Sequence, residues 1–453
     1  MKATNTRREK MKVFLTIMTP ILFTQLGMYL MNFIDTIMSG RASPEDLAGV
    51  AVGTSLWFPV FTCLSGILMS LTPVISENIG AKRNKDISFS LIQGLYLSIG
   101  LSLGIFVIGV LFLDPVLQMM PLQNEVRVIS KGYLTGLSSG IVPLFMYTAL
   151  RSFIDSHGKT HITMTIIFLA VPINMLLNYL FIYGRFGFPA LGGAGTGYAS
   201  GITYWFLFLS AFFYIAKEKA FSGYHLFKSF PGISLSKWKE LLGLGVPIGV
   251  TMFLESSIFS VVTILMSQYD TDIIAAHQAA ANFAYLFYML PLSIALTLTI
   301  CISYELGAGR REEAKKYSHL GIMMAFGLGL LSCLFIFYLR TPVSYLYTNS
   351  PSVALLIQKF LVFSIFFQLS DALATPIQGV LRGYKDVKVT FIIALISFWM
   401  IGIPTGSLLA IFTELAAFGY WIGLISALAS MAAALFIRLQ WLQRKNQLGE
   451  KQS

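Results

Sequence analysis

The sequence predicts an all-α integral membrane protein, with about twelve transmembrane helices in two six-helix lobes related by a pseudo-two-fold axis along the membrane normal. Three observations predict it. The 453 residues are 56% hydrophobic and 12% charged, with a mean hydropathy of +0.72. A water-soluble domain carries roughly 25% charged residues, so this chain lacks the polar skin to sit in water. Apolar stretches of about 20 residues, the length that crosses a bilayer core, recur along the whole chain. The second half also repeats landmarks of the first.

Taken in order, the spans are expected at 13–38, 47–75, 88–113, 128–150, 161–183, 193–216, 241–267, 273–300, 317–339, 353–378, 389–411 and 416–437. The basic start (Lys2, Arg7, Arg8, Lys10, Lys12) leads into the first span with no small-residue cleavage site, as a retained helix does rather than a removed signal peptide. With the N-terminus cytoplasmic, 26 of the 32 Lys and Arg residues fall on the cytoplasmic side, including Lys228 and Lys451. Cytoplasmic loops retain Lys and Arg during insertion, so both termini are placed inside. The net charge of +11 then sets topology and touches anionic lipid, and is no nucleic-acid footprint. Residues 217–240, the longest polar stretch, are expected to join an N-terminal lobe (1–216) to a C-terminal lobe with its cytoplasmic tail (241–453).

The repeat has an offset of about 227 residues, the separation of Pro20 in span 1 from Pro247 in span 7. SENIGA (76–81) corresponds to SYELGA (303–308), both running into basic loops. Leu150-Arg151, with Asp155 after it, corresponds to Leu381-Arg382, with Asp386 after it. Spans 6 and 12 open on LGGAG (191–195) and LAAFG (415–419). Convergence of short loops on Gly, Lys and Arg would explain one match, not several in register. Six spans per half, both starting inside, make a parallel repeat.

Several functions are excluded. Cys63, Cys301 and Cys333 all fall in apolar spans, without a disulfide framework or a CxxC site. Gly158-Lys159-Thr160 is the nearest approach to a phosphate-binding loop, but Phe153 stands where that loop needs its first glycine, so no ATP site is expected. His157 and His161 are one helical turn apart with no acidic third ligand, and His277 beside Gln278 reads as a polar contact. No cluster suits a membrane-embedded enzyme, and no cofactor is expected.

A transporter without ATP runs on an ion gradient and needs titratable groups in the bilayer. Asp35, Glu255 and Asp371 are acids well inside spans, where an ionised carboxylate costs roughly 2.5–3.5 kcal/mol. The alternative, a buried pair with Lys or Arg, is disfavoured because no basic residue falls well inside any span. An unpaired carboxylate can instead hold a proton, Na⁺ or a drug cation. Near Asp35 in the N-lobe, Asn174 and Asn178 share one helix face and Thr196 opens span 6; oxygen ligands of this kind suit Na⁺ or a shared proton, although interhelical hydrogen bonding would use the same amides. Phe283, Tyr285, Phe287 and Tyr288 in span 8, with Phe366 and Phe367 beside Asp371, are candidates to stack on flat cations.

Over residues 10–442, MNFIDTIMSGR (31–41), ALRSFIDSHGKT (149–160), VLRGYKDVK (380–388) and AAHQAAANF (275–283) resemble the multidrug and toxic compound extrusion (MATE) family. YGRFGFPALGGAGTG (183–197) is similar to its NorM-type bacterial branch. The resemblance implies two six-helix lobes around a central cleft. It also implies export of cationic drugs and dyes across the bacterial plasma membrane, hence antibiotic resistance, by alternating access against inward Na⁺ or H⁺. It implies a cation and drug site at Asp35, a C-lobe cation site (Na⁺ in some relatives) at Glu255 and Asp371, and an aromatic substrate contact at Tyr288. Asn178 stands where some relatives carry a second acid, and Phe367 where they often carry Tyr. A related flippase for lipid-linked precursors, or an exporter of one metabolite, is the alternative; a flippase cavity should be cationic, and these spans carry acids instead.

Overall fold

The computed structural model describes residues 4–226 and 231–450, the side chains of 446–450 excepted; Lys2, Lys228 and Lys451 lie outside the described residues. Among the described residues the regular elements are all helical. In chain order they are α1 (Arg7–Gly40), α2 (Pro44–Leu68), α3 (Leu71–Gly80), α4 (Asn84–Met119), α5 (Asn124–Ser138), α6 (Ile141–Ser156), α7 (Thr160–Tyr183), α8 (Gly193–Lys217), α9 (Leu235–Met266) and α10 (Thr271–Gly307). They continue with α11 (Arg311–Tyr347), α12 (Pro351–Gly383), α13 (Val387–Leu395), α14 (Ile403–Phe412) and α15 (Ala417–Glu450). Eleven spans among the described residues are long and apolar enough to cross a membrane, and α5 with α6 makes a twelfth if that pair, bent by 50°, is one span.

Local chemistry sets the helix ends. Thr6 and Glu9 form a capping box at the start of α1: the Glu9 amide donates to Thr6 Oγ1 at 3.2 Å and the Thr6 amide to Glu9 Oε2 at 3.3 Å. Ser43 caps α2 by accepting the Asp46 amide at 2.9 Å, with Pro44 in the first turn. The stretch expected as one span at 47–75 is two helices, α2 and α3, meeting at Met69 and Ser70. The stretch expected at 389–411 is interrupted by a π-turn at Ile396–Gly402, where the Ile403 amide bonds Phe398 O just before Pro404. Pro404 has no amide hydrogen to offer, and the wider turn absorbs that lost ladder bond.

The chain divides into two compact units: Thr19–Gly249, and Lys2–Met18 together with Val250–Ser453. Both exchanges of a helix from one unit to the other fall beside the repeat-related prolines, Pro20 within α1 and Pro247 within α9.

In the first unit Leu68, Leu71, Ile75, Leu91, Phe145 and Phe153 form the centre of a dry core. Close approach of α5 to α8 depends on glycine: a Cβ on Gly136 would lie 2.6 Å from the Tyr198 amide nitrogen. Without a hydrophobic drive between helices in lipid, such small-residue contacts are what hold them together. The connection before α9 is anchored on α4 by Gln93, which donates to Gly232 O at 2.8 Å and accepts the Ser234 amide at 2.9 Å. His157, one of the histidine pair, bonds Phe153 O at 2.8 Å and Tyr224 Oη at 3.0 Å, a packing role. In the second unit Lys10 is buried in an ion pair with Glu313, and Thr4 Oγ1 meets Tyr317 Oη at 3.0 Å.

Candidate cation and substrate sites

Asp35 in α1 is 7% exposed and sits in a bed of neutral polar groups from three helices. Asn178 in α7 donates Nδ2 to Asp35 Oδ1 at 2.6 Å and to Asn174 Oδ1 at 3.2 Å. Ser200 in α8 donates to Asp35 Oδ2 at 3.1 Å. Ser39, one turn beyond Asp35, donates to its carbonyl at 2.8 Å and meets Thr196 Oγ1 at 2.9 Å. The four expected N-half residues, Asp35, Asn174, Asn178 and Thr196, are therefore brought into one network, with Ser39 and Ser200 added. Ser200 follows Thr196 by one helical turn, and that spacing was the available signal.

Asn178 Oδ1 has no hydrogen-bond partner although it is buried, so the network retains an open oxygen beside the carboxylate. A buried acceptor without a donor costs about 1–3 kcal/mol and is a natural place for a cation or a proton-bearing group. The glycine-rich entry to α8 is structural rather than ligating. Gly192 lies at φ +56°, and the Gly193 amide donates to Asp46 Oδ1 at 2.5 Å, which pins the start of α8 to α2.

The C-half acids form a second group, wholly within the other unit. Asp371 in α12 is 3% exposed and accepts from Thr375 Oγ1 at 2.6 Å, while its Oδ2 is buried without a hydrogen-bond partner. Glu255 in α9 accepts from Gln378 Nε2 at 2.5 Å. The two acids are linked through α12, where Gln378, the donor to Glu255, stands two helical turns beyond Asp371. Thr375 and Gln378 follow Asp371 by four and seven residues, the same face of α12.

One expectation is corrected here. Arg382, assigned by sequence to the loop after span 10, belongs to α12, which runs on to Gly383; it is 8% exposed and stands one helical turn beyond Gln378, the donor to Glu255. A basic residue therefore does stand within a long helix near an acid.

The aromatic candidates separate. Tyr288 stacks on Tyr285 with centroids 5.8 Å apart, beside the acids. Phe367 is buried against Phe259 at 5.6 Å and Trp421 at 6.2 Å, in the core that flanks Asp371. Phe283 packs on Phe287, which in turn packs on Phe335 of α11. Phe366 is 57% exposed. His277 accepts from Trp421 Nε1 at 3.1 Å and meets Thr263 Oγ1 at 3.2 Å, which satisfies both ring nitrogens, and its neighbour Gln278 donates to the same Thr263 Oγ1 at 3.3 Å. No group of three or more His, Cys, Asp or Glu that could hold a metal occurs among the described residues.

The model of the MatE family matches residues 20–180 and again 247–408, two stretches that begin on the repeat-related prolines. A protein of Halalkalibacterium halodurans, named "Probable multidrug resistance protein NorM", is 58% identical over 445 residues, covering 98% of this chain and 97% of its own. A Bacillus subtilis protein of the same name is 50% identical over 98% of each chain. Among solved structures, a Vibrio cholerae MATE transporter in the bent form shares 18% identity with a TM-score of 0.87, covering 97% of this chain and 98% of that one. A multidrug resistance MATE family transporter of the MOP superfamily, in an outward-facing conformation, matches all of both chains with a TM-score of 0.85 at 18% identity. At such identity the likeness concerns the fold.

Proposed function

The chain belongs to the MatE family and is a transporter rather than an enzyme, and on that premise we propose that it exports cationic and amphipathic drugs and dyes by antiport against Na⁺ or H⁺. It works in the plasma membrane of a bacterium with both termini cytoplasmic. The relatives' name, a multidrug resistance protein, supports the substrate class.

The observation that carries the reading is Asp35, a buried carboxylate held by neutral donors, Asn178 and Ser200. In a dry setting such a group stays charged only with a cation beside it, and otherwise takes up a proton. Exchange of an inward-moving cation or proton for an outward-moving drug cation uses that alternation directly. Alternating access then couples the two, because each ligand shifts the population of states it binds better. Export that excludes simultaneous occupancy needs no ATP. In the C-half, the open Asp371 Oδ2 and the oxygens of Thr375, Gln378 and Glu255 are hard ligands of the kind Na⁺ takes.

Ethidium efflux from energised, drug-sensitive bacteria tests the reading, with wild type compared with Asp35→Asn, Glu255→Gln and Asp371→Asn, with and without Na⁺ at fixed pH. Wild type should export, and Asp35→Asn should not, at equal membrane abundance. Efflux that needs Na⁺ identifies the driving ion, and efflux that persists without it assigns protons. Normal efflux by Asp35→Asn would sink the proposal.

A further inference from the structure

The two halves carry the same Arg-and-Asp pattern at the end of corresponding helices, and they use it differently. In the first unit Arg151 is fully engaged. Its Nε meets Asp155 Oδ2 at 3.3 Å, one Nη donates to Gln25 Oε1 at 3.0 Å and the other approaches Met28 Sδ at 3.5 Å. Met252 corresponds to Gln25 and Glu255 to Met28 at the offset of 227, and Arg382 to Arg151 and Asp386 to Asp155 at 231, four residues having been gained between the matched helices.

Each substitution removes a polar partner from Arg382 except the last. Met252 offers no acceptor in place of Gln25. Asp386 is taken by Arg438 of α15, in a two-pronged contact of 2.6 Å from Nε and 3.1 Å from the second Nη nitrogen. Counting from the matched openings of α8 and α15, the first half has Tyr214 where the second has Arg438, which is why Asp155 is left to Arg151 there. Arg382 thus sits 8% exposed, with Nη1 buried and without a hydrogen-bond partner. Glu255, at the place where Arg151 touches Met28, accepts from Gln378, which stands one helical turn before Arg382 on α12 and so brings the acid to the same stretch of that helix.

We propose that Arg382 is the tethered counter-cation of Glu255, and that a cation arriving at Glu255 must compete with it. A buried guanidinium cannot shed its proton, so it remains a permanent competitor. Two acids and one fixed base leave the Glu255 and Asp371 pair with one negative charge to spare, which suits one monovalent cation at a time. A competitor built into the site weakens cation binding and thereby speeds release, so that the site turns over instead of trapping its ion. The Asp35 network has no such partner among its hydrogen bonds, and its neutral donors stabilise the charge without competing for it. This inference rests on the antiport reading and assigns a specificity-determining residue to it.

The test uses purified full-length protein in lipid vesicles and measures ²²Na⁺ binding and ethidium anisotropy, with choline replacing Na⁺ at constant ionic strength. Arg382→Gln should tighten the binding of whichever of these cations the wild type takes at Glu255 by roughly tenfold, because one unit of opposing charge is gone. Arg382→Lys keeps the charge and should stay within about twofold of wild type. Arg151→Gln, whose neighbour is Met28, should leave the affinity unchanged. In a Glu255→Gln background the Arg382→Gln change should have no further effect. Should Arg382→Gln fail to purify as a monodisperse species, Arg382→Met, which keeps the apolar stem, takes its place.

A thermal-melting cycle over Arg382→Gln and Glu255→Gln reads the pair without transport, and strictly additive shifts would overturn it. Wild type that binds either cation, with Arg382→Gln binding it no tighter, overturns the competition and leaves the antiport reading standing. Wild type that binds neither and exports no ethidium overturns the antiport reading, and the competition with it.

Discussion

Asn178 Nδ2 lies 2.6 Å from Asp35 Oδ1, a contact between α7 and α1 that spans 143 residues of sequence. A short bond from a neutral amide to a carboxylate fixes where the negative charge points without cancelling it. Asn178→Ala removes the shortest of the neutral donors to Asp35 and leaves Ser200 in place at 3.1 Å. The expected loss is about 1–2 kcal/mol, between the cost of an unmet bond to a charged group in water-soluble proteins and the smaller values found for bonds between membrane helices. Thermal unfolding in detergent checks this, and dye efflux by the variant should fall with it. An unchanged melting temperature would show that the contact is incidental.

Thr375 supplies the hydrogen bond that orients Asp371 among the described residues, from a position one turn further along α12. On the antiport proposal, with Na⁺ as the driving ion, Thr375→Ser keeps the hydroxyl and should preserve Na⁺-stimulated ethidium efflux. Thr375→Val keeps the shape and removes the donor, leaving both Asp371 oxygens unpartnered. The half-saturating Na⁺ concentration for efflux should then shift by roughly tenfold, which corresponds to about 1.4 kcal/mol. Equal half-saturation in the two variants would separate Thr375 from ion handling.

Much of this arrangement was legible in sequence because membrane helices expose their exceptions. Asp35, Glu255 and Asp371 stand out against apolar neighbours, and Asn174 and Asn178 share a face by simple helical spacing. Pro20 and Pro247 marked the repeat and turned out to lie where helices pass from one unit to the other. What sequence hid depends on tertiary contact. Ser200 is one hydroxyl among many on apolar helices until α8 brings it to Asp35. Arg382 read as a loop charge because hydropathy falls off before the helix ends, and its burial comes from packing against other helices.

Gly192 precedes α8 at φ +56° and ψ −141°, a region of backbone space that essentially only glycine occupies. A Cβ there would fall 2.4 Å from Asp46 Oδ1, the oxygen that accepts the Gly193 amide. Gly192→Ala therefore faces both strain and the loss of that bond. The backbone alone costs about 1–3 kcal/mol. Lower yield and a lower melting temperature are expected, whereas Gly187→Ala, also at positive φ but in open space, should cost less. Equal losses at the two positions would show that the Asp46 contact adds nothing.

Lys10 is counted by sequence among the charges that set topology, yet its amine is buried, donating to Thr4 O at 2.8 Å and paired with Glu313. Glu313 also holds Lys316 at 2.7 Å and is itself 18% exposed in its side chain. Breaking a fully buried pair by removing one partner costs about 3–5 kcal/mol, because the other charge is stranded. Here the exposure of Glu313 and its second partner soften that loss, so Lys10→Met should cost about 1–3 kcal/mol. Glu313→Gln strands the more deeply buried charge and should cost more than Lys10→Met. The double variant Lys10→Met with Glu313→Met removes both charges and should recover much of the stability lost by the worse single change. Thermal unfolding of the four proteins in one detergent decides it: a double variant no better than the sum of the singles would mean that the pair holds no energy in common, and that Lys10 is buried for its apolar stem alone.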